Sequence, residues 1–213
     1  MGFMRRILVA ILISLTALPL MGAGKPAAPE FSTQQKADLD RVSDALNAAH
    51  SMQGDFAQIN PNGDIVQGRF YIQKPGRVRF EYNPPTPTLI VSNGTTVAVK
   101  NTKLNTVDRY PLISTPLDFV LSDNLDLKNN KAVNSIERDG DSLIVKASST
   151  DSRAPGTITM VFAEQNLELR QWTVIDAQGL STTVALRDVE QDVPLPASLF
   201  VVEERNPFTK RTD

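Results

Sequence analysis

The side chains that could do chemistry in this sequence are few. One histidine, His50, and no cysteine stand among 213 residues. A Ser-His-Asp triad, a Cys-His pair or a multi-histidine metal set would each have to use that one imidazole. His50 closes a helical stretch, where a cation complements the negative end of the helix dipole. No G-x-S-x-G, H-E-x-x-H or Walker pattern occurs. Carboxylates gather at Asp123/Asp126 and Glu203/Glu204 in loop-like contexts that leave them to water, and Asp139-Gly140-Asp141 reads as a hairpin turn. The sequence therefore predicts no catalytic site, no metal and no cofactor. What remains is apolar chemistry, and it is concentrated in one stretch.

That stretch runs from Gly68 to Gly94. Phe70 and Ile72 share one face of a strand, while Arg69, Tyr71 and Gln73 share the other. Beyond Lys74-Pro75-Gly76-Arg77 the pattern repeats, with Val78, Phe80 and Tyr82 on one face and Arg77, Arg79 and Glu81 opposite. A proline-rich corner and a third short strand lead to Asn93-Gly94. Such a sheet is wet on one face and apolar on the other. Function turns on whether the apolar face covers core or cargo.

The elements around it are mostly strands. Ser32 and Gln35 form a capping-box pattern that opens a helix to about Ser51. Along it Leu39, Val42, Leu46 and Ala49 make an apolar stripe, and Lys36, Asp40, Asp44 and Asn47 are left for solvent. From Met52 onward, alternating runs between tight turns predict about eleven antiparallel strands, with Leu199 to Val202 as a possible last edge strand. One segment interrupts them. Within the crossing from Pro111 to Asn130, Ser114 to Ser122 has an N-cap Thr115, Pro116 at the first helical position and apolar residues at 117, 120 and 121. It reads as a short helix, either a lid or a plug over one end of the sheet. A curved sheet with so little helix either closes on its own side chains or encloses a partly empty apolar cavity. Two helical pieces of this size are expected to cover such a cavity without filling it.

Residues 1–23 have the form of a secretory signal peptide: Arg5-Arg6, an apolar run from Ile7 to Leu20, then Gly22-Ala23-Gly24, with cleavage expected after Ala23. That apolar run is shorter than the ~20 residues of a membrane span. Residues 24–31 read as a linker and 32–213 as a single domain. A soluble, exported, periplasmic protein follows, standing without disulfides. The formal charge of −2 becomes −4 once Arg5 and Arg6 leave, with 24 acids against 20 bases. That balance lacks the clustered Lys and Arg that track nucleic acid.

In their order and spacing these residues resemble the LolA family of periplasmic outer-membrane lipoprotein carriers. The likeness is carried by Gly68-x-Phe70-x-x-x-Lys74-Pro75-Gly76-Arg77-x-Arg79-Phe80-x-Tyr82 and by Ile90-Val91-Ser92-Asn93-Gly94. Thr115-Pro116-Leu117 with Leu121, Trp172-x-Val174-x-Asp176-x-x-Gly179 and Leu199-Phe200 continue it across the mature chain. The resemblance implies a mainly β fold with a few α-helices: an incomplete, unclosed antiparallel barrel of about eleven strands with a helical lid. It implies a cavity for acyl chains lined by Phe56, Phe70, Ile72, Val78, Phe80 and Tyr82, under a lid of Leu117, Val120 and Leu121. The implied partners are acylated lipoproteins as cargo, an ATP-driven releasing complex (an ABC transporter) in the inner membrane, and a receptor at the outer membrane or that membrane itself. The carrier is expected to be a monomer.

The sequence departs from the family at one place. Many members carry Arg before the proline of the second motif, where it holds the lid through hydrogen bonds to lid carbonyls. Lys74 stands there in this chain. A lysine is a point charge without the planar fork of donors, so a weaker or different latch is expected. A second reading is a periplasmic lipid-binding sensor, or a general lipid shuttle, built on the same half-barrel.

Overall fold

The structure is a computed structural model that describes residues 30–115, 118–149 and 155–202. The proposed leader, residues 24–29 of the linker, Pro116, Leu117, Glu203 and Glu204 lie outside the described residues.

Helix α1, Thr33–Ala48, begins as the capping box requires. The Ser32 hydroxyl accepts from Gln35 N–H at 3.2 Å, and the Gln35 side chain accepts from Ser32 N–H at 2.9 Å. Eleven strands follow: β1 Ser51–Ile59, β2 Ile65–Gln73, β3 Arg77–Tyr82, β4 Thr88–Asn93, β5 Thr96–Asn101, β6 Thr106–Pro111, β7 Val133–Asp139, β8 Ser142–Ser148, β9 Thr157–Ala163, β10 Leu169–Ile175 and β11 Ser181–Gln191. Between β6 and β7 lie a 3₁₀ turn, Leu112–Ser114, and the one-turn helix α2, Asp118–Leu121. Of the helix expected across 114–122, residues 118–121 are helical, and Pro116 and Leu117 lie outside the described residues.

All strands join one antiparallel sheet in the order β6-β5-β4-β3-β2-β1-β11-β10-β9-β8-β7. The sheet is unclosed, with β6 and β7 as its two edges. Consecutive strands are neighbours, because short turns favour antiparallel hairpins, except β6 and β7 at the two edges; β1 pairs β11 instead. The chain therefore builds two wings, β1 to β6 and β7 to β11, that meet at the β1–β11 seam.

Period-two alternation sets one face of every wing toward a common core. Phe56, Phe70, Ile72, Val78, Leu143, Val145, Met160, Phe162 and Trp172 gather there with Leu39, Val42 and Leu46 of α1. Two glycines allow close approach where β1 and β2 pair. Gly54 pairs with Phe70 and Gly68 with Phe56 across β1 and β2. A Cβ on Gly68 would lie 1.9 Å from the Glu81 carbonyl oxygen and 2.8 Å from the Phe56 ring, and one on Gly54 would lie 2.7 Å from the Arg187 carbonyl oxygen. Each glycine thus makes room for the ring opposite and for close backbone approach.

The two ends of the sheet differ. The β2–β3, β4–β5, β7–β8 and β9–β10 turns lie at one end, where α1 and α2 also sit. The β1–β2, β3–β4, β5–β6 and β10–β11 turns lie at the far end. After β11 the chain returns past Ser51, whose hydroxyl donates to the Val193 carbonyl at 2.7 Å. The last described element is a 3₁₀ turn, Ala197–Phe200, where Leu199 to Val202 had been expected to add an edge strand. Pro194 and Pro196 cannot donate to a ladder, and Arg79 takes the Leu199 carbonyl at 3.0 Å. Phe200 is buried over β3 and β4, so Val91 and Ala98 are also buried although register turns them away from the main core.

Candidate functional site

The inward wall of β1, β2, β3 and β10 is aromatic. The Phe56 ring meets Phe80 at 5.1 Å and Tyr82 at 5.0 Å, both edge to face. Phe80 lies 6.4 Å from Phe70 and 6.2 Å from Trp172. Edge-to-face pairs of this kind add to area burial, so the rings hold one another in register. The structure brings Phe56, Phe70, Ile72, Val78 and Phe80 into one buried cluster with Val120 and Leu121. Tyr82 is half-buried at its edge, and Leu117 lies outside the described residues. Trp172 belongs to the same wall and was missing from the residues expected there. Its period-two position before Val174 was the available signal.

The described residues of this wall are buried, Phe56 and Phe70 at 0% exposure and Val78 at 1%. The inward rings pack against Leu39, Val42 and Leu46 of α1, together with Val120, Leu121 and Leu127 of the crossing. Helix α1 fills as well as covers, because its four-residue spacing presents a continuous apolar stripe to the sheet. An apolar concavity of this size left to water would be costly, at roughly 25 cal/mol per Å². The chain's own helix occupies it instead.

Polar contacts tie this cap together. Asn47, expected to face solvent, accepts from Leu125 N–H at 2.8 Å and donates to the Leu125 carbonyl at 2.9 Å. The Ser43 hydroxyl accepts from Leu127 N–H at 3.0 Å, and Lys128 pairs with Asp40 at 2.8 Å. Thus α1 and the crossing form one polar-stitched body over an apolar contact.

The cap is fastened to the sheet at two places. On one side the buried Asp38 carboxylate receives a fork from Arg138, Nη2 at 2.6 Å and Nε at 3.1 Å, and also contacts Arg41 at 3.2 Å. Arg138 pairs with Glu164 as well. Burial alone would raise the Asp38 pKa, but hydrogen bonds from Arg138, Gln34 and Arg41 outweigh it and hold the carboxyl below its ordinary 3.8.

On the other side stands Lys74. Its ammonium donates at 2.6 Å to the Leu46 carbonyl, near the C-terminus of α1, rather than to a carbonyl of the crossing. The contact that reaches the crossing is a backbone one, Gly76 N–H to the Leu121 carbonyl at 2.9 Å. Gly76 has φ +72°, and a Cβ there would meet the Gly94 backbone at 2.8 Å, so the β2–β3 and β4–β5 turns close on each other beside this bond. Burial pushes the Lys74 pKa down to about 8, partly opposed by the nearby charge of Asp123.

At the far end the concavity is closed differently. The Tyr82 hydroxyl donates to Gln58 at 2.6 Å, and Gln58 donates to Asn60 at 2.6 Å. Burial raises the Tyr82 pKa to about 12, with the Gln58 bond opposing, so the phenol is neutral throughout the physiological range. Ile90 and Val174 pack half-buried around the same mouth. His50 is exposed, with its carbonyl accepting from Lys74 N–H at 2.8 Å. Asp139 to Asp141 forms the hairpin turn with Gly140 at φ +57°. Among the described residues, no group of three His, Cys, Asp or Glu is placed to hold a metal ion. No helix among them is long and apolar enough to cross a membrane.

The chain is similar to several known proteins. The sequence model of one family, described as outer membrane lipoprotein carrier protein LolA, matches residues 47–203. An outer-membrane lipoprotein carrier protein of Chromohalobacter salexigens is 26% identical over 187 residues, covering 83% of this chain and 88% of that one. An uncharacterized protein of Rickettsia prowazekii is 29% identical over 102 residues, 48% of each chain. Among solved structures, a LolA superfamily protein from Nitrosomonas europaea aligns over 79% of this chain and 98% of its own, with a TM-score of 0.46 and 11% identity.

Proposed function

Because this chain belongs to the LolA family of outer membrane lipoprotein carrier proteins, we propose that it is a periplasmic carrier whose aromatic interior takes the acyl chains of lipoproteins. It receives them as they leave the inner membrane and delivers them to the outer membrane. The observation that carries this reading is the aromatic wall from Phe56 to Trp172, covered by the apolar stripe of a helix whose polar attachments to the sheet are few. Withdrawal of α1 and α2 exposes the wall, and hydrocarbon then replaces Leu39, Val42 and Leu46 against the same rings.

Magnitudes explain the need. Moving an acyl chain from a bilayer into water costs roughly 0.8 kcal/mol per CH₂, so an anchor of about forty methylenes would cost about 30 kcal/mol. Apolar walls offset that cost without reading the cargo's sequence, since burial of hydrocarbon is non-directional. Closing the site with the chain's own side chains also limits affinity, because each binding event must first displace them. Release is thereby built into the resting state.

The inner-membrane partner on this reading is an ATP-driven releasing complex, and the acceptor is an outer-membrane receptor or that membrane itself. Phe56, Phe70, Ile72, Val78, Phe80 and Tyr82 line the acyl site, Leu117, Val120 and Leu121 form the lid, and Lys74 is a latch on α1. Residues 1–23 direct export, and 32–213 act as one carrier domain. The test is release: inner-membrane vesicles, ATP and the purified protein should yield acylated polypeptides bound to it in the supernatant. Recovery of free phospholipid alone would favour a general lipid shuttle, and recovery of neither would remove the carrier reading.

A further inference from the structure

Five of the eight large hydrophobic side chains exposed among the described residues lie at the far end of the sheet, away from both helices. Ile59 (46% exposed) and Ile65 (65%) are a direct cross-strand pair at the base of the β1–β2 turn. Ile175 (41%) and Leu180 (51%) flank the β10–β11 turn, and Leu104 (69%) tips the β5–β6 turn. Register places Ile59 and Ile65 on the outer face beside Thr183 of β11, so the β1–β2 and β10–β11 groups adjoin. Nothing in the fold requires apolar residues at turns that pack on no second layer.

Among the described residues, charge at this end is sparse and differs from the rest. Its two described turn acids are tied into their own turns: Asp64 accepts from Asn62 at 2.6 Å, and Asp176 accepts from Gln178 and Leu180 N–H at 2.9 Å. Lys103 and Lys131 stand at the same end. At the helix end Asp123, Asp139, Asp141, Glu164 and Glu168 outnumber Lys74, Arg77, Arg138 and Arg170, in a chain whose formal charge is −2. The far end is therefore the one an anionic bilayer surface repels least. It is also the end where the Tyr82–Gln58–Asn60 chain closes the concave mouth.

We propose that the far end is a bilayer-docking surface: Ile59, Ile65, Leu104, Ile175 and Leu180 seat in the interfacial layer of a phospholipid membrane and hold the mouth behind Tyr82 against it. The choice of a bilayer as occupant rests on the carrier reading, since the cargo's anchor must leave one membrane and enter another. Acyl chains then pass between bilayer and interior at this end, while the cap moves at the other.

Co-sedimentation with protein-free vesicles of phosphatidylethanolamine and phosphatidylglycerol tests the surface. Wild type is expected to pellet with the vesicles. Ile59→Ser with Ile65→Ser should lower its partition by about tenfold or more. Leu104→Ser with Leu180→Ser, in turns where a folding defect is not expected, should do the same with unchanged thermal unfolding. Failure of wild type to bind, or equal binding by both variants, overturns the proposal. So does tip-dependent binding seen only with native membranes and lost after protease treatment, which would assign the surface to a protein. Uptake of a soluble fluorescent fatty acid without vesicles separates the two readings. Vesicle docking without uptake would leave the surface standing and remove the carrier, whereas uptake without docking would do the reverse.

Discussion

Burial draws the Lys74 ammonium down to a pKa of about 8, and the charge of Asp123 opposes this only in part. Below pH 8 the amine is charged in both folded and unfolded chains, and the folded state bears the whole desolvation cost. Between pH 8 and the unfolded value of 10.5 the folded chain sheds a proton that the unfolded chain keeps, so this residue's contribution to stability rises with pH. Lys74→Arg stays charged across that window and should not share the rise. Urea unfolding of both proteins between pH 7 and 10.5 is expected to show wild type gaining on the variant, and a constant difference would place the amine in water. Gly68 makes a simpler case at the same scale. Alanine there puts a methyl 1.9 Å from the Glu81 carbonyl oxygen, so Gly68→Ala should lose about 3 kcal/mol by chemical denaturation, at the upper end of overpacking costs.

At the scale of elements the informative contact is between α1 and β7. Arg138 and Arg41 are 40% and 44% exposed, so solvent screens the Asp38 cluster even though Asp38 itself is buried. Asp38→Asn should therefore cost about 1–2 kcal/mol at pH 7, less than a fully buried pair would. Because the folded carboxyl titrates below 3.8, its contribution is present above that value and is lost as pH falls through the lowered one. Wild type and variant should thus converge in strongly acidic solution, and faster amide exchange confined to α1 would identify the clamp as the moving boundary. Much of this layer was legible beforehand. Alternation located the strands that carry Phe70 with Ile72 and Val78 with Phe80, and Ser32 with Gln35 located the start of α1. Asn47 was misread as solvent-facing, since a polar residue on the helix's outer face says nothing about a loop arriving from 78 positions away. The Asp40 side chain does face solvent, at 47% exposure, while also meeting Lys128. Leu199-Phe200 looked like a strand because short apolar runs do not reveal which surface they will cover. The paired Gly54-x-Phe56 and Gly68-x-Phe70 could have been read as reciprocal glycine–aromatic pairing, had the register of β1 on β2 been fixed first.

For the molecule as a whole, the decisive question is why the aromatic wall is filled by the chain itself, a feature that sequence periodicity could not reveal because filled and hollow barrels alternate alike. If α1 stands in for cargo, residues of the cap and residues of the wall must respond oppositely to truncation. Leu46→Ala removes a side chain from the closed state alone, so it should lower stability by about 3 kcal/mol. The same change lowers the cost of opening, and apparent affinity for a fatty-acid probe should rise by about tenfold or more as the open fraction grows. Phe80→Ala removes a ring that the closed state packs against and that the proposed acyl chains also touch, so stability and probe affinity should both fall. Trp172, the one tryptophan of the chain, lies 6.2 Å from Phe80 and is buried, which makes its emission a direct report of what occupies the wall. Probe titrations followed by that emission would decide the matter: the two variants moving in the same direction would mean that α1 belongs to a permanent core and that acyl chains bind elsewhere.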